Sequence, residues 1–386
     1  MFLRMLVATF TLLVVSGDVA LAAQNTTLQA GACTVYTDNP AASIAACDQT
    51  ITSISTDPKV KANALRIRAL LHELTRKPDA SNADLAAALA IDSSMAENSL
   101  AQSLIFHMRG QKAEALAKLE EATRQAPNDL ELLITAANNF SLMEESDRTV
   151  AVLSRIIEID AGHIGALRMR GDQFLRQGDY KAALRDVAIV LRRYPRDAVA
   201  LRIRGFARFN QRDLKRAIRD FDALLAQANS DPVALAGRAA AFLQRGSLQK
   251  ARKDYEKLMA TGNAGVSELI LYGSVLQQQE NNELALSHFD SLLKSYPDEA
   301  QVHNGRCWSL AQLKRLDEAL TACNRAISLD GNKSSNIFNC RAFVHEKRRK
   351  FDLAARDYEA SLKLNPSDPY AKQELKRMKK AAGKKR

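Results

Sequence analysis

Small and apolar positions of this chain repeat at a fixed interval. The first series has a spacing of 34 residues and comprises Ala69, Ser103, Ala137, Gly171, Gly205, Ala239, Gly273 and Cys307, with Ala342 following at 35. A second series lies 12 residues behind the first and comprises Ser81, Ala115, Thr149, Ala183, Ala217, Ala251, Ala285, Ala319 and Ala354. A small residue in each of two helices lets their backbones approach closely. The interval therefore predicts an all-α chain of nine helix–turn–helix units.

Larger residues around the small ones carry a family resemblance. Residues 164–197 contain, in order, Leu167, Gly171, Phe174, Gly178, Tyr180, Ala183 and Pro195. The next two units keep part of this order, with Ala217 and Phe221, then Ala251 and Tyr255. The order resembles the tetratricopeptide repeat. The resemblance implies a right-handed α-α superhelical solenoid of about nine repeats over residues 62–368.

Charged residues follow the same register. Arginine directly precedes the small residue at Arg68, Arg170, Arg204, Arg238, Arg306 and Arg341. Aspartate lies 16 residues after such an arginine at Asp84, Asp186, Asp220, Asp254 and Asp357, whereas the units with Gln102, Ala136 or Tyr272 lack both partners. We therefore predict a salt bridge between the two helices of one repeat, because each partner reduces the cost of leaving the other unpaired.

The first 23 residues have the features of a secretory signal peptide. Arg4 precedes an apolar run over residues 5–15, and Ala20-Leu21-Ala22 supplies small residues before Gln24. The apolar run is too short to span a membrane. We therefore expect export, followed by a capping segment over residues 24–61 with a helix over 40–55.

Export makes the five cysteines disulfide candidates. Cys33 and Cys47 would tie the capping segment together. Cys307 and Cys323 occupy the small position of one first helix and the aromatic position of the second helix, so a bond there would join the two helices. Cys340, in the next repeat, competes for Cys323 because the second helix of one repeat also contacts the first helix of the next. That alternative pairing stays open.

Three segments also resemble a group of exported bacterial tetratricopeptide repeat proteins. They are NGRCW at residues 304–308, ALTACNRAISLD at 319–330 and SIAACDQTI at 43–51. The resemblance implies the periplasm of a Gram-negative bacterium as the location of this protein.

The formal net charge of +11 is concentrated at the C-terminus. Residues 371–386 contain eight Lys or Arg against Glu374, a net of +7. We expect residues 369–386 to form a basic capping helix, over 370–381, and a tail. This segment suggests a peripheral contact with anionic lipid or acidic cell-wall polymer. Nucleic acid is not an expected partner, because the basic residues are not interleaved with aromatic ones.

Patterns typical of catalytic sites are absent from the sequence. The six histidines have no metal-ligand spacing. No phosphate-binding glycine loop, nucleophile elbow or dinucleotide fingerprint occurs. We therefore predict no catalytic residue, no cofactor and no metal site, and a non-catalytic function.

The family resemblance implies that the first helices line a concave groove. Candidate groove residues are Arg168, Asp172, Arg176, Arg202, Phe206 and Phe209 in the middle of the chain, and Asn304, Trp308 and Gln312 further on. The arginines would bind an acidic or C-terminal carboxylate group beside an apolar neighbour. The amide side chains around Trp308 suit the backbone of an extended peptide, or a glycan stacked on the indole.

These expectations lead to one function and two alternatives. The first is an adaptor or scaffold that holds a peptide or protein segment in the groove. The second is an envelope-associated structural protein that uses its basic tail. The third is a glycan-binding module centred on Trp308.

Overall fold

The computed structural model describes residues 33, 39–53 and 56–383. The predicted signal peptide and the last three residues of the basic tail lie outside this part of the chain. The described residues contain 20 α-helices and divide into two compact units, one that ends at Ala207 and one that begins at Arg208. None of the helices in the described residues is long and apolar enough to cross a membrane.

The N-terminal unit contains ten helices, the last of which continues past its boundary. They are α1 (Pro40–Thr52), α2 (Pro58–Leu74), α3 (Pro78–Ile91), α4 (Met95–Met108), α5 (Lys112–Gln125), α6 (Leu130–Leu142), α7 (Ser146–Ile159), α8 (Ile164–Gln177), α9 (Tyr180–Arg193) and α10 (Ala198–Asn210). From α2 onward each helix of this unit packs mainly against its neighbours in sequence, and α1 covers α2.

The C-terminal unit continues the same architecture. Its helices are α11 (Leu214–Leu225), α12 (Pro232–Gln244), α13 (Leu248–Ala260), α14 (Val266–Gln278), α15 (Asn282–Ser295), α16 (Ala300–Gln312), α17 (Leu316–Asp330), α18 (Ser335–Lys347), α19 (Phe351–Leu364) and α20 (Pro369–Gly383). The helices α12–α19 form four sequential pairs, and α20 packs on α19. The expected all-helical repeat fold is therefore confirmed. At the two ends, α1 stops at Thr52 and α20 reaches Gly383; residues 54 and 55 of the expected capping helix lie outside the described part of the chain.

Aromatic rings of the second helices fill the space that the small residues leave. Phe289 of α15 is fully buried, and its ring lies against Gly273 of α14 and Gly305 of α16. A Cβ atom added at Gly273 would lie 2.4 Å from the ring, and one at Gly305 would lie 2.2 Å from it. Because these contacts are shorter than any carbon–carbon packing distance, only glycine fits at either position. One ring thus joins two consecutive repeats.

The predicted arginine–aspartate bridges are present in both units. Arg238 donates from Nε and Nη2 to the two carboxylate oxygens of Asp254, at 2.7 and 2.8 Å. The same bidentate contact joins Arg68 to Asp84, Arg170 to Asp186 and Arg341 to Asp357. The four aspartates are between 4 and 6 % exposed. Asp220 accepts a hydrogen bond from Arg208 within the C-terminal unit.

Each of these arginines also contacts the helix before it. The remaining Nη1 group of Arg238 donates to Asp222, 16 residues earlier, at 2.6 Å. In the same way Arg170 contacts Ser154, Arg341 contacts Asn324 and Arg68 contacts Asp48 of α1. Arg306 contacts the earlier partner, Asp290, and has no later aspartate among the described residues, because Ala322 stands at that position. One guanidinium therefore holds three helices, since its five donors form a planar fork.

In the repeat that has Tyr272 in place of arginine, the tyrosine still contacts both the preceding helix and the second helix of its own repeat, but without an ion pair. The Tyr272 hydroxyl donates to Glu256, again 16 residues earlier, and its ring packs edge-on against His288, where aspartate is expected. The His288 Nε2 atom lies 2.8 Å from the carbonyl oxygen of Leu269. Burial lowers the pKa of His288 and so favours the neutral ring, which suits this apolar packing. This register position therefore accommodates either an ion pair or two packed rings.

The disulfides in the structure join Cys33 to Cys47 and Cys307 to Cys323. The first attaches residue 33 to α1, and the second joins α16 to α17. Cys340 of α18 remains a buried thiol, with its Sγ atom 3.3 Å from that of Cys307 and 3.7 Å from that of Cys323. Burial raises the pKa of the Cys340 thiol, so this group is a poor nucleophile in the folded protein.

The position of Cys340 makes the alternative pairing testable. In a Cys307→Ser variant, oxidation should join Cys323 to Cys340, because their Sγ atoms already lie 3.7 Å apart. The new bond closes a loop of 17 residues, which in the chain-entropy model stabilises by about 3 kcal/mol. Peptide mapping by mass spectrometry and a urea titration, with Cys307→Ser/Cys340→Ala as the matched control, measure both effects. Two free thiols after air oxidation of the single variant would contradict this expectation.

Candidate binding surfaces

The predicted groove residues of the N-terminal unit are largely paired with one another or with their neighbours. Arg176 donates from Nε to Asp172 at 2.7 Å, one helical turn earlier on α8. Arg168 forms an ion pair with Asp197, which precedes α10. Arg202 is partly exposed and has no ion pair within the described part of the chain. Phe206 is also partly exposed. Of the three arginines, Arg202 is the one whose charge is left for a ligand.

Two of the predicted groove residues are in the interior instead. Phe209 is 5 % exposed, and Asn304 has no exposed surface. Both lie on first helices whose neighbours pack closely, so side chains expected at the surface are covered. The expectation that they line an open groove is corrected accordingly.

Asn304 is nevertheless unusual among buried residues. Neither its Oδ1 nor its Nδ2 atom has a hydrogen-bond partner. By contrast, Gln277 of α14 donates to the carbonyl oxygen of Gly305 at 2.7 Å and to Ser309 at 2.9 Å. Since an unpaired buried polar group costs about 1–3 kcal/mol, we expect Asn304 to lower the stability of the C-terminal unit.

Further amide groups lie on the same helices. On α18, Asn339 donates to Asp368 at 2.9 Å and Asn336 donates to Gln301 of α16 at 3.4 Å, but the Oδ1 atom of each has no partner. Gln312, at the end of α16, is exposed. Helices α16 and α18 thus carry several amide groups with unused hydrogen-bonding capacity.

Trp308 lies on the same helix as Asn304, one turn further on. Its ring stacks on Phe343 of α18, with ring centroids 4.8 Å apart and an angle of 28° between the planes. The ammonium group of Lys347 lies 4.9 Å from the centroid of the Phe343 ring. Both aromatic residues are partly exposed. They form an apolar ridge beside the amides, and we call residues Gln301, Asn304, Trp308, Gln312, Asn336, Asn339 and Phe343 the amide–aromatic surface.

A cleft that the sequence analysis did not anticipate lies in the N-terminal unit. It has a volume of about 710 Å³ and is lined by Ile164, Arg168, Arg193, Tyr194, Pro195, Arg196 and Asp197. Most of these residues belong to the loop between α9 and α10. The signal in the sequence was the run LRRYPRD at 191–197, in which three arginines surround an aromatic residue and a proline.

The described residues contain one group of three metal-ligating side chains, formed by Cys307, Cys323 and Cys340. Two of its three sulfurs form a disulfide, and all three residues are packed among apolar side chains such as Leu310 and Val344. In this state the group cannot offer three thiolates to a metal ion.

The tetratricopeptide repeat family profile matches residues 168–232, 204–265 and 273–335. Together with the packing of the helices in sequential pairs, this match identifies the chain as a tetratricopeptide repeat protein. It is 31 % identical over 110 residues to the DnaJ homolog subfamily C member 7 homolog of Schizosaccharomyces pombe, covering 28 % of this chain and 23 % of that protein. The corresponding protein of Dictyostelium discoideum is 27 % identical over 111 residues, with 28 % and 20 % covered.

This chain thus spans less than a quarter of the length of either curated relative. Among solved structures, a tetratricopeptide repeat protein from Parabacteroides merdae is similar with a TM-score of 0.54 and 17 % identity. The similarity covers 64 % of this chain and 98 % of that one. At this identity the similarity supports the fold alone.

Replacing Asn304 tests whether its amide is retained at a cost to stability. Asn304→Leu should raise the free energy of unfolding of the C-terminal unit by about 1 kcal/mol, because it removes two unpaired polar atoms at similar volume. Ser309→Ala is the matched control: Ser309 is equally buried but hydrogen-bonded, and its loss should destabilise by about 1 kcal/mol. Urea titrations measure both. A destabilised Asn304→Leu variant would mean that the amide is satisfied in solution.

Proposed function

We propose that this protein is a non-catalytic adaptor that binds an extended peptide or protein segment on the first helices of its repeats. Tetratricopeptide repeat proteins are protein–protein interaction scaffolds and generally lack catalysis. The observation that carries the proposal is the amide–aromatic surface, where Asn304, Asn336 and Asn339 keep hydrogen-bonding atoms without partners.

The chemistry of this surface suits a peptide backbone. An extended segment presents alternating N–H and C=O groups, and a side-chain amide can donate to one and accept from the other. Trp308 and Phe343 add an apolar ridge for a side chain of the same segment. The unpartnered atoms of Asn304, Asn336 and Asn339 are all buried, so a peptide reaches them only after a small displacement of the side chains that cover them.

We further propose that the protein acts in the periplasm of a Gram-negative bacterium. The proposal rests on the signal-like residues 1–23 and on the two cysteine pairs, since disulfides persist in oxidising compartments.

The two alternatives have weaker support. In the basic helix α20, Arg377 is paired with Glu346 and Glu374, and Lys379 with Glu359, so part of its charge is neutralised within the protein. Trp308 has Phe343 stacked on its ring, which leaves less of the indole for a sugar. Neither observation favours attachment to the envelope through the tail or glycan binding over peptide binding.

Site-specific photo-crosslinking in the producing cell tests the adaptor proposal. A photoreactive phenylalanine derivative at Gln312 or Gln278, both exposed on first helices, should give discrete adducts that contain peptide. The matched control carries the same group at Lys253, which is exposed on the second helix α13. Mass spectrometry of the adducts identifies what is bound.

Equal labelling at all three positions, or adducts that contain only lipid or polysaccharide, would contradict the proposal. Circular dichroism of each variant verifies that the helical fold is retained, so that a missing adduct reports on binding.

A further inference from the structure

The cleft at the loop between α9 and α10 lies in the most basic repeat of its unit. Residues 164–197 contain eight Lys or Arg against four Asp, a net of +4. The repeat before it, residues 130–163, contains two Arg against six Asp or Glu, a net of −4. This change of sign directs an anionic ligand toward the repeat that holds the cleft.

The one acidic residue of the cleft is fully engaged. The Oδ1 atom of Asp197 accepts from the backbone N–H of Ala200 at 2.8 Å and so caps α10, while Oδ2 pairs with Arg168. Arg193 and Arg196 have no ion pair within the described part of the chain. Asp197 therefore neutralises neither Arg193, at the end of α9, nor Arg196 in the loop.

One further feature prepares the cleft for an acceptor. The guanidinium carbon of Arg193 lies 5.6 Å from the centroid of the Tyr194 ring, a cation–π contact that restricts the arginine before a ligand arrives. A carboxylate in the cleft can accept hydrogen bonds from guanidinium groups that are already positioned.

The remaining walls of the cleft are apolar. Ile164, Pro195 and Tyr194, which is 45 % exposed, flank the arginines. A bare inorganic anion would leave these walls in water, whereas an aliphatic or aromatic side chain would cover them. The volume of about 710 Å³ accommodates a few residues of a peptide.

We propose that this cleft binds an acidic peptide segment, in which an Asp or Glu carboxylate stands next to an apolar side chain. The proposal rests on the peptide-binding function proposed above and adds a second contact region, distinct in its residues from the amide–aromatic surface. Arg193 and Arg196 bind the carboxylate, and Tyr194 with Ile164 holds the apolar neighbour.

A random peptide library displayed on phage tests the proposal with the full mature chain as bait. The enriched peptides should place Asp or Glu beside Leu, Ile, Phe or Tyr. For the enriched peptides, fluorescence anisotropy should show at least about tenfold weaker binding to Arg193→Glu/Arg196→Glu, because charge-assisted hydrogen bonds are replaced by repulsion.

Lys181→Glu/Arg185→Glu is the matched control. It makes the same change of net charge in the same repeat, on exposed residues of α9 outside the cleft. Its affinity should fall by less than about threefold, which is the size expected of screened long-range charge alone. Circular dichroism verifies the fold of both variants.

Three outcomes would overturn the proposal. If the enriched peptides lack an acidic residue, or if the two double variants lose affinity for them equally, the cleft is not their binding site. The adaptor function would still stand in either case. Binding of inorganic phosphate that displaces the enriched peptides at equal concentration would assign the cleft to a free anion. Failure to enrich any peptide would contradict the adaptor function as well.

Discussion

In the repeats that have it, the arginine that precedes the small residue of the first helix sets the geometry on which the other contacts depend. In Arg68, Arg170, Arg238 and Arg341 two donors bind the aspartate of the same repeat and a third binds the preceding second helix. Because the aspartates are almost completely buried, removing either partner would leave a charge with little solvation. The planar fork of the guanidinium holds neighbouring helices together, and glycines such as Gly237, directly before Arg238, let an aromatic ring fill the gap between them.

Because the arginine and the neighbouring small residues make the contacts between helices, other positions of the first helices are available for binding. The fifth residue of the first helix differs between repeats. Arg168 and Asn339 each contact an aspartate 29 residues later that caps the next helix. The side chain of Asn304 has no hydrogen-bond partner among the described residues. A contact that stabilises one repeat is thus replaced in another by groups with unused hydrogen-bonding capacity. Sites of function are commonly where a protein forgoes local stability.

The 34-residue spacing of the small residues predicted the repeat fold. The 16-residue spacing between arginine and aspartate predicted the bridges. Burial at single positions was not predictable: Phe209 and Asn304 lie inside although the family register places them on an open face. The cleft beside Arg168 depends on a loop whose shape the spacing does not specify. The backbone conformation of the turn after the first helix was also not predictable at every repeat. Gly178 and Gly246 have the positive φ that favours glycine, but Glu144, Glu280 and Lys314 adopt a positive φ at the same place in their repeats.

A double-mutant cycle on Arg238 and Asp254 tests the central claim, that the bridges hold the helices of a repeat together. Urea titrations of Arg238→Ala, Asp254→Ala and the double variant should give a coupling energy of at least about 1.5 kcal/mol. The exposed pair Arg315–Glu318 at the start of α17 is the control and should give a clearly smaller coupling energy, because solvent screens both of its charges. A coupling at Arg238–Asp254 no larger than that of the control pair would show that apolar packing alone orders the repeats.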